Sequence, residues 1–164
     1  MNTKLLLIAG AAVTSAGIYS AATFAASVTS TADANVIAPM TITETTVLNF
    51  GDISVDAVNP GTVTLDATSG NRTDAGGATA VLGGADARGV YTLGGVSGKA
   101  YSISIPGINL TSGGNILPAV FTNTASGTLP AATEVIGVGG TVSLSAGQAP
   151  GLYQGDYTIT VDYN

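Results

Sequence analysis

The final fourteen residues, Gly151-Leu152-Tyr153-Gln154-Gly155-Asp156-Tyr157-Thr158-Ile159-Thr160-Val161-Asp162-Tyr163-Asn164, put Tyr153, Tyr157, Ile159, Val161 and Tyr163 at odd positions and a polar residue at every even position after Leu152. A period of two fits an extended strand with one face buried and the other in water, because successive side chains of a strand point to opposite faces. Such a segment needs a sheet to belong to. Its place at the end of the chain leaves few residues to cover its edge, so the pairing of that edge becomes a question about partners.

Much of the chain has the same texture in shorter pieces. Alternating runs at 37–43, 47–50, 62–65, 78–82, 90–93, 101–105, 120–124, 141–145 and 153–163 are separated by Gly, Pro, Asn and Asp. The clearest, Tyr101-Ser102-Ile103-Ser104-Ile105, points Tyr101, Ile103 and Ile105 inward and its serines outward, and Pro106-Gly107 ends it. Gly76-Gly77, Gly83-Gly84, Gly94-Gly95 and Gly113-Gly114 mark loop tips. Past the N-terminal segment there is no run of helical period and no repeat of fixed length. The pattern predicts an all-β domain, an immunoglobulin-like β-sandwich, over residues 37–164.

Residues 1–25 read differently. Lys4 precedes an apolar run from Leu5 to Val13 that continues to Ala22, and small residues surround Ala25-Ala26, the pattern of a secretory signal peptide cleaved near Ala26. Thr14, Ser15, Gly17 and Ser20 interrupt the run and argue against a retained membrane span. The exported remainder, about 139 residues, is the size of one domain with a core of its own. The full chain's 23 glycines raise the question of disorder, but its 45% apolar content in clear alternation answers it.

The C-terminal pattern resembles that of chaperone–usher pilus subunits, which carry alternating apolar residues, a penultimate Tyr (here Tyr163) and a Gly fourteenth from the end (here Gly151). Further motifs are similar to a bacterial family of uncharacterised secreted domains related to fimbrial subunits, the fimbrillins: Leu48-Asn49-Phe50-Gly51, Val138-Gly139-Gly140-Thr141-Val142 and Gly151-Leu152-Tyr153-Gln154-Gly155-Asp156-Tyr157. The resemblance spans most of the exported chain through short motifs. It implies a pilus or fimbria subunit that travels through the periplasm to the cell surface. Its partners would be a periplasmic chaperone, an outer-membrane usher and copies of itself in a homopolymer. The sandwich would be completed by a donor strand from a neighbouring subunit, and the C-terminal strand (Gly151, Tyr153, Tyr157, Ile159, Val161, Tyr163) would serve assembly. Many such subunits carry one disulfide, whereas this chain has no cysteine.

The segment 26–36 is the candidate donor. Val28, Ser30, Ala32, Ala34 and Val36 share one small, mostly apolar face, and Ser27, Thr29, Thr31, Asp33 and Asn35 share a polar one. That face buries too little surface to fold alone but suits a shallow groove lined by another subunit's core. A flexible leader, or the domain's own first strand, is the plainer alternative.

Residue inventory narrows the rest. Without His or Cys the common acid–base and thiol routes are absent, and the two glutamates, Glu44 and Glu134, sit in no motif, so no enzyme, cofactor or metal site is expected. Oxygen ligands between Asp66 and Asp74 match no calcium-loop spacing. Asn71-Arg72-Thr73 and Asn109-Leu110-Thr111 are glycosylation triplets of a kind frequent by chance in Thr-rich chains. Ten acidic residues against four basic ones make nucleic acid an unsuitable partner. Two readings stand: a fimbrial subunit, or a self-complete secreted sandwich that binds a glycan or host protein.

Overall fold

The computed structural model describes residues 25–80 and 84–164. The expected signal peptide lies, apart from Ala25, outside the described residues, as do positions 81–82 of the strand expected at 78–82. Among the described residues no helix is long and apolar enough to cross a membrane. Residues 25–39 carry no regular structure. Val36–Asn164 is a compact unit that holds the eleven strands and both hydrophobic clusters found among the described residues.

The domain is all-β and sandwich-like, as the alternation predicts. In chain order the strands are β1 (Thr41–Thr46), β2 (Ile53–Val55), β3 (Gly61–Leu65), β4 (Arg72–Gly76), β5 (Ala78–Ala80), β6 (Gly89–Gly94), β7 (Tyr101–Ser104), β8 (Ile108–Ser112), β9 (Asn115–Asn123), β10 (Thr133–Leu144) and β11 (Thr160–Tyr163). All named pairings are antiparallel.

Strand β10 is the hub. Along one edge it pairs first with β6, over 133–138, and then with β3, over 140–144. The opposite edge takes β9 over 138–142, and β8, β4 and β1 extend the sheet as partners of β9, β3 and β6. Two small sheets, β7 with β11 and β2 with β5, stand apart from this path.

The core follows from that layout. Val63, Leu117, Val142 and Leu144 belong to one cluster, and Tyr91, Leu93, Tyr101, Leu129, Ile136 and Val138 to the other. Strand β10 contributes to both, and Phe121 packs against both. Gly137, Gly139 and Gly140 lie in the middle of β10, where glycine normally weakens a strand. Here it admits other backbone. A Cβ on Gly137 would run into the Ala67 carbonyl, and one on Gly139 into Leu65 and Ala67.

The structure moves several expected boundaries. Strand β4 falls in the stretch read as loop, because its partly buried side chains, Arg72 and Asp74, form an ion pair at 2.7 Å rather than an apolar pattern. Strand β8 occupies the Asn109 triplet, and β10 begins eight residues before the run expected at 141–145. The run expected at 47–50 keeps only a bridge between Asn49 and Ala87, and β2 follows it. At the C-terminus ladder pairing covers Thr160–Tyr163, with a single bridge at Gln154, instead of 153–163. The cause is local: residues 155–159 have no strand beside them to pair with.

Candidate functional site

Two stretches of backbone run along the domain paired only in places and, among the described residues, on one side only. The first comprises β1, the link 47–52 and β2. Strand β6 pairs with β1, Ala87 exchanges two 2.8 Å hydrogen bonds with Asn49, and β5 pairs with β2. The second runs from residue 149 to 159 and into β11. Thr111 exchanges backbone bonds of 2.9 and 3.1 Å with Gln154, and β7 pairs with β11.

Between them lies an open groove of about 830 Å³, walled by residues 47–55 and 148–157 and floored by Leu110, Leu117, Phe121, Val142 and Leu144. A second hollow of about 470 Å³ shares Val47, Leu48, Gly155, Asp156 and Tyr157 with it and adds Ile42, Glu44, Tyr91 and Ile159. The floor residues belong to, or pack against, the Val63 cluster. The groove therefore opens toward the core through half-buried Leu110 and Phe121, over buried Leu117, Val142 and Leu144, and the strand segments that bound it have edges that strand addition would pair.

The C-terminal alternation is realised side chain by side chain. Tyr153, Tyr157, Ile159, Val161 and Tyr163 are all half-buried and their polar neighbours exposed. The Tyr153 hydroxyl donates to the Ala149 carbonyl at 2.7 Å and receives the Gln148 amide at 2.8 Å, which braces the turn into the wall. Tyr157 stacks on Phe121 with ring centres 4.6 Å apart. Ile159 and Val161 pack on the second cluster, and the Tyr163 hydroxyl accepts the Val96 N–H at 2.7 Å. Gly151 passes β8 so closely that a Cβ would come within 2.5 Å of Ser112 Oγ. Of these residues Gly151, Tyr153, Tyr157 and Ile159 line the groove or its extension, whereas Val161 and Tyr163 anchor the strand beyond it.

In the arm, Val28, Ser30, Ala32, Ala34 and Val36 are all exposed, the two valines by 91% and 93%. Asp66 and Asp74 do not converge: Asp66 Oδ1 accepts the Thr68 and Ser69 amides within its own turn, and Asp74 holds Arg72. Sequence reasoning missed the first wall. Its one signal was the Leu48-Asn49-Phe50-Gly51 motif, which forms the link between β1 and β2.

Where the two hollows meet, Tyr91 donates to Glu44 Oε1 at 2.8 Å and lies 2.5 Å from the Tyr157 hydroxyl. Burial pushes the Tyr91 phenol far above the ordinary value of 10.0, and the bonds to Tyr157 and Glu44 add to the shift. Burial also raises Tyr157. A phenol with a raised pKa holds its proton more tightly folded than unfolded. Its share of stability is full below 10.0 and is lost as pH rises through the folded value. Thermal melts should therefore fall at pH above 10. Tyr91→Phe should cost about 1 kcal/mol at neutral pH and flatten that alkaline fall; an unchanged alkaline slope would remove Tyr91 as its source.

A family model described as a domain of unknown function, DUF4402, matches residues 40–163. The chain belongs to the DUF4402 family. The matched range takes in both groove walls, the floor and every strand of the DUF4402 domain, while the arm 26–36 precedes it. No curated protein and no solved structure matches the chain.

Proposed function

We propose that the domain is a structural subunit of a bacterial surface pilus or fimbria, and that its groove accepts an extended strand from the arm, residues 26–36, of another copy. The observation that carries this reading is the core-floored groove between two strand segments paired on one side only. Donor-strand complementation in pilins is one known instance of this binding mode. Resemblance of the C-terminal motif to chaperone–usher subunits adds a periplasmic chaperone and an outer-membrane usher as partners, with export to the cell surface.

The energetics favour a strand over a compact ligand. Each ladder bond formed is worth about 0.5–1.5 kcal/mol net. Burying Val28 or Val36 adds at most about 1.5–3 kcal/mol apiece, and the small Ser30, Ala32 and Ala34 let backbone approach backbone. Against these gains stands the ordering of an arm that has no regular structure of its own.

The test uses the compact unit 36–164 and a synthetic peptide of residues 26–38. At a peptide concentration about 100-fold above its Kd, binding should raise the unfolding midpoint by roughly 10 °C. A peptide carrying Ala34→Arg should give no shift, because the cation would have to enter an apolar groove. Equal shifts from both peptides, or none from either, would overturn the donor reading.

A further inference from the structure

Part of the first wall is held by a side chain. Its ladder pairing runs from β6 alongside β1 to the Ala87 bridge at Asn49, and resumes with β5 alongside β2. Residues 50–52 lie between and have no ladder partner among the described residues. One side chain grips this interval. Arg72, from the start of β4, donates through Nη1 to the carbonyls of Phe50 at 2.8 Å and Asp52 at 3.0 Å, and Asp74 holds its Nε at 2.7 Å. Gly51 sits against the same guanidinium, where a Cβ would come within 3.0 Å of Nη1.

Stability alone does not account for this choice. The Arg72 side chain is 7% exposed, and its Nη2 is buried without a hydrogen-bond partner among the described residues. A buried guanidinium is expensive to desolvate, and an apolar side chain of similar length would fill the space without stranding a donor. What an apolar side chain cannot do is grip two carbonyls of one backbone segment. Here one nitrogen, Nη1, takes both carbonyls while Asp74 holds Nε, so the planar guanidinium fixes all three contacts together.

We propose that Arg72 is a positioning residue of the groove, holding the backbone of residues 50–52 in place so that the first wall is set to receive an incoming strand. The inference rests on the strand-accepting reading above. Arg88 provides a matched control, since its Nη1 likewise grips two carbonyls, those of Ala67 and Thr68, on a turn that does not line the groove.

The experiment measures the affinity of the 26–38 peptide for the compact unit 36–164 in wild type, Arg72→Lys, Asp74→Asn and Arg88→Lys, each checked for folding by its melt, with amide hydrogen exchange at residues 50–53. Lysine keeps the charge but loses the rigid plane that holds Asp74 and both carbonyls at once. Arg72→Lys should bind about tenfold more weakly, since a loosened wall must be ordered on binding, and its wall amides should exchange faster. Arg88→Lys should lose comparable melting temperature and bind within about twofold of wild type. Asp74→Asn, which loosens the guanidinium without removing it, should fold and bind severalfold more weakly. Wild-type affinity in Asp74→Asn or in folded Arg72→Lys overturns the proposal and leaves the groove reading intact. So does an equal affinity loss in Arg88→Lys, which would mark a general effect of stability. A wild-type domain that does not bind the peptide overturns the strand-accepting reading and this proposal with it.

Discussion

If arms pass between subunits as proposed, removal of residues 26–36 is expected to abolish fibre formation and leave a folded monomer. The groove and both its walls lie within Val36–Asn164, so the deletion leaves the acceptor whole and takes away only the donor. Negative-stain microscopy should find filaments in the intact exported chain and none in the truncated one, and size-exclusion chromatography should give a single small species for the latter. Adding intact protein to the truncated form should produce short ends-capped assemblies, because a subunit without an arm still accepts one but cannot pass one on. The expected contrast is all-or-none, because each subunit–subunit junction needs one arm. Filaments from the truncated chain would move assembly away from the arm. Monomers from both would turn attention to the self-complete reading, in which the same groove takes an extended ligand from elsewhere.

The largest stability effect should come from Gly139→Ala. A methyl group there would meet the Leu65 carbonyl and the Ala67 backbone, and these are main-chain atoms that cannot swing aside. Gly139 lies where β10 passes from β6 to β3 along one edge, so relief by backbone shift would disturb both pairings together. Overpacking costs about 1–3 kcal/mol in most cores and more where backbone must move, which is a large share of the roughly 5–15 kcal/mol that holds a domain together. We expect Gly139→Ala to be poorly folded at 25 °C, whereas Gly113→Ala, at a hairpin turn with open space around it, should keep its fold and lose far less. Equal melts for the two would refute the close crossing at Gly139.

How much of this could be read from residues alone depended on where each side chain's signal was apolar. The inward set Tyr153, Tyr157, Ile159, Val161 and Tyr163 was legible in full, because period-two alternation reports burial directly. Ladder pairing was not, since it depends on what lies alongside, and residues 155–159 border a groove instead of a strand. Strand β4 was hidden because its partly buried positions are a salt-bridged pair. The first half of β10 was hidden by glycines that are there for another segment's backbone, a tertiary demand that leaves no local trace. Arg72 carried the most misleading label. It sits inside a glycosylation triplet, and its reach of about twenty residues back along the chain to Phe50 and Asp52 has no sequence signature.

The hub position of β10 also sets a timetable. Strands β3, β6 and β9 do not hydrogen-bond to one another; each joins the sheet through β10, whose residues 133–144 come late in the chain. A nascent chain that has emerged only as far as residue 132 owns most of its strands and lacks the one that joins them. Collapse must then wait on pairings that reach as far as from Gly140 back to Leu65, the kind of distant closure that makes β proteins slow to fold. Under the export proposed above, the chain would cross a membrane before it folds, and lateness is then an advantage: the segment that commits the domain to a compact shape follows most of its other strands.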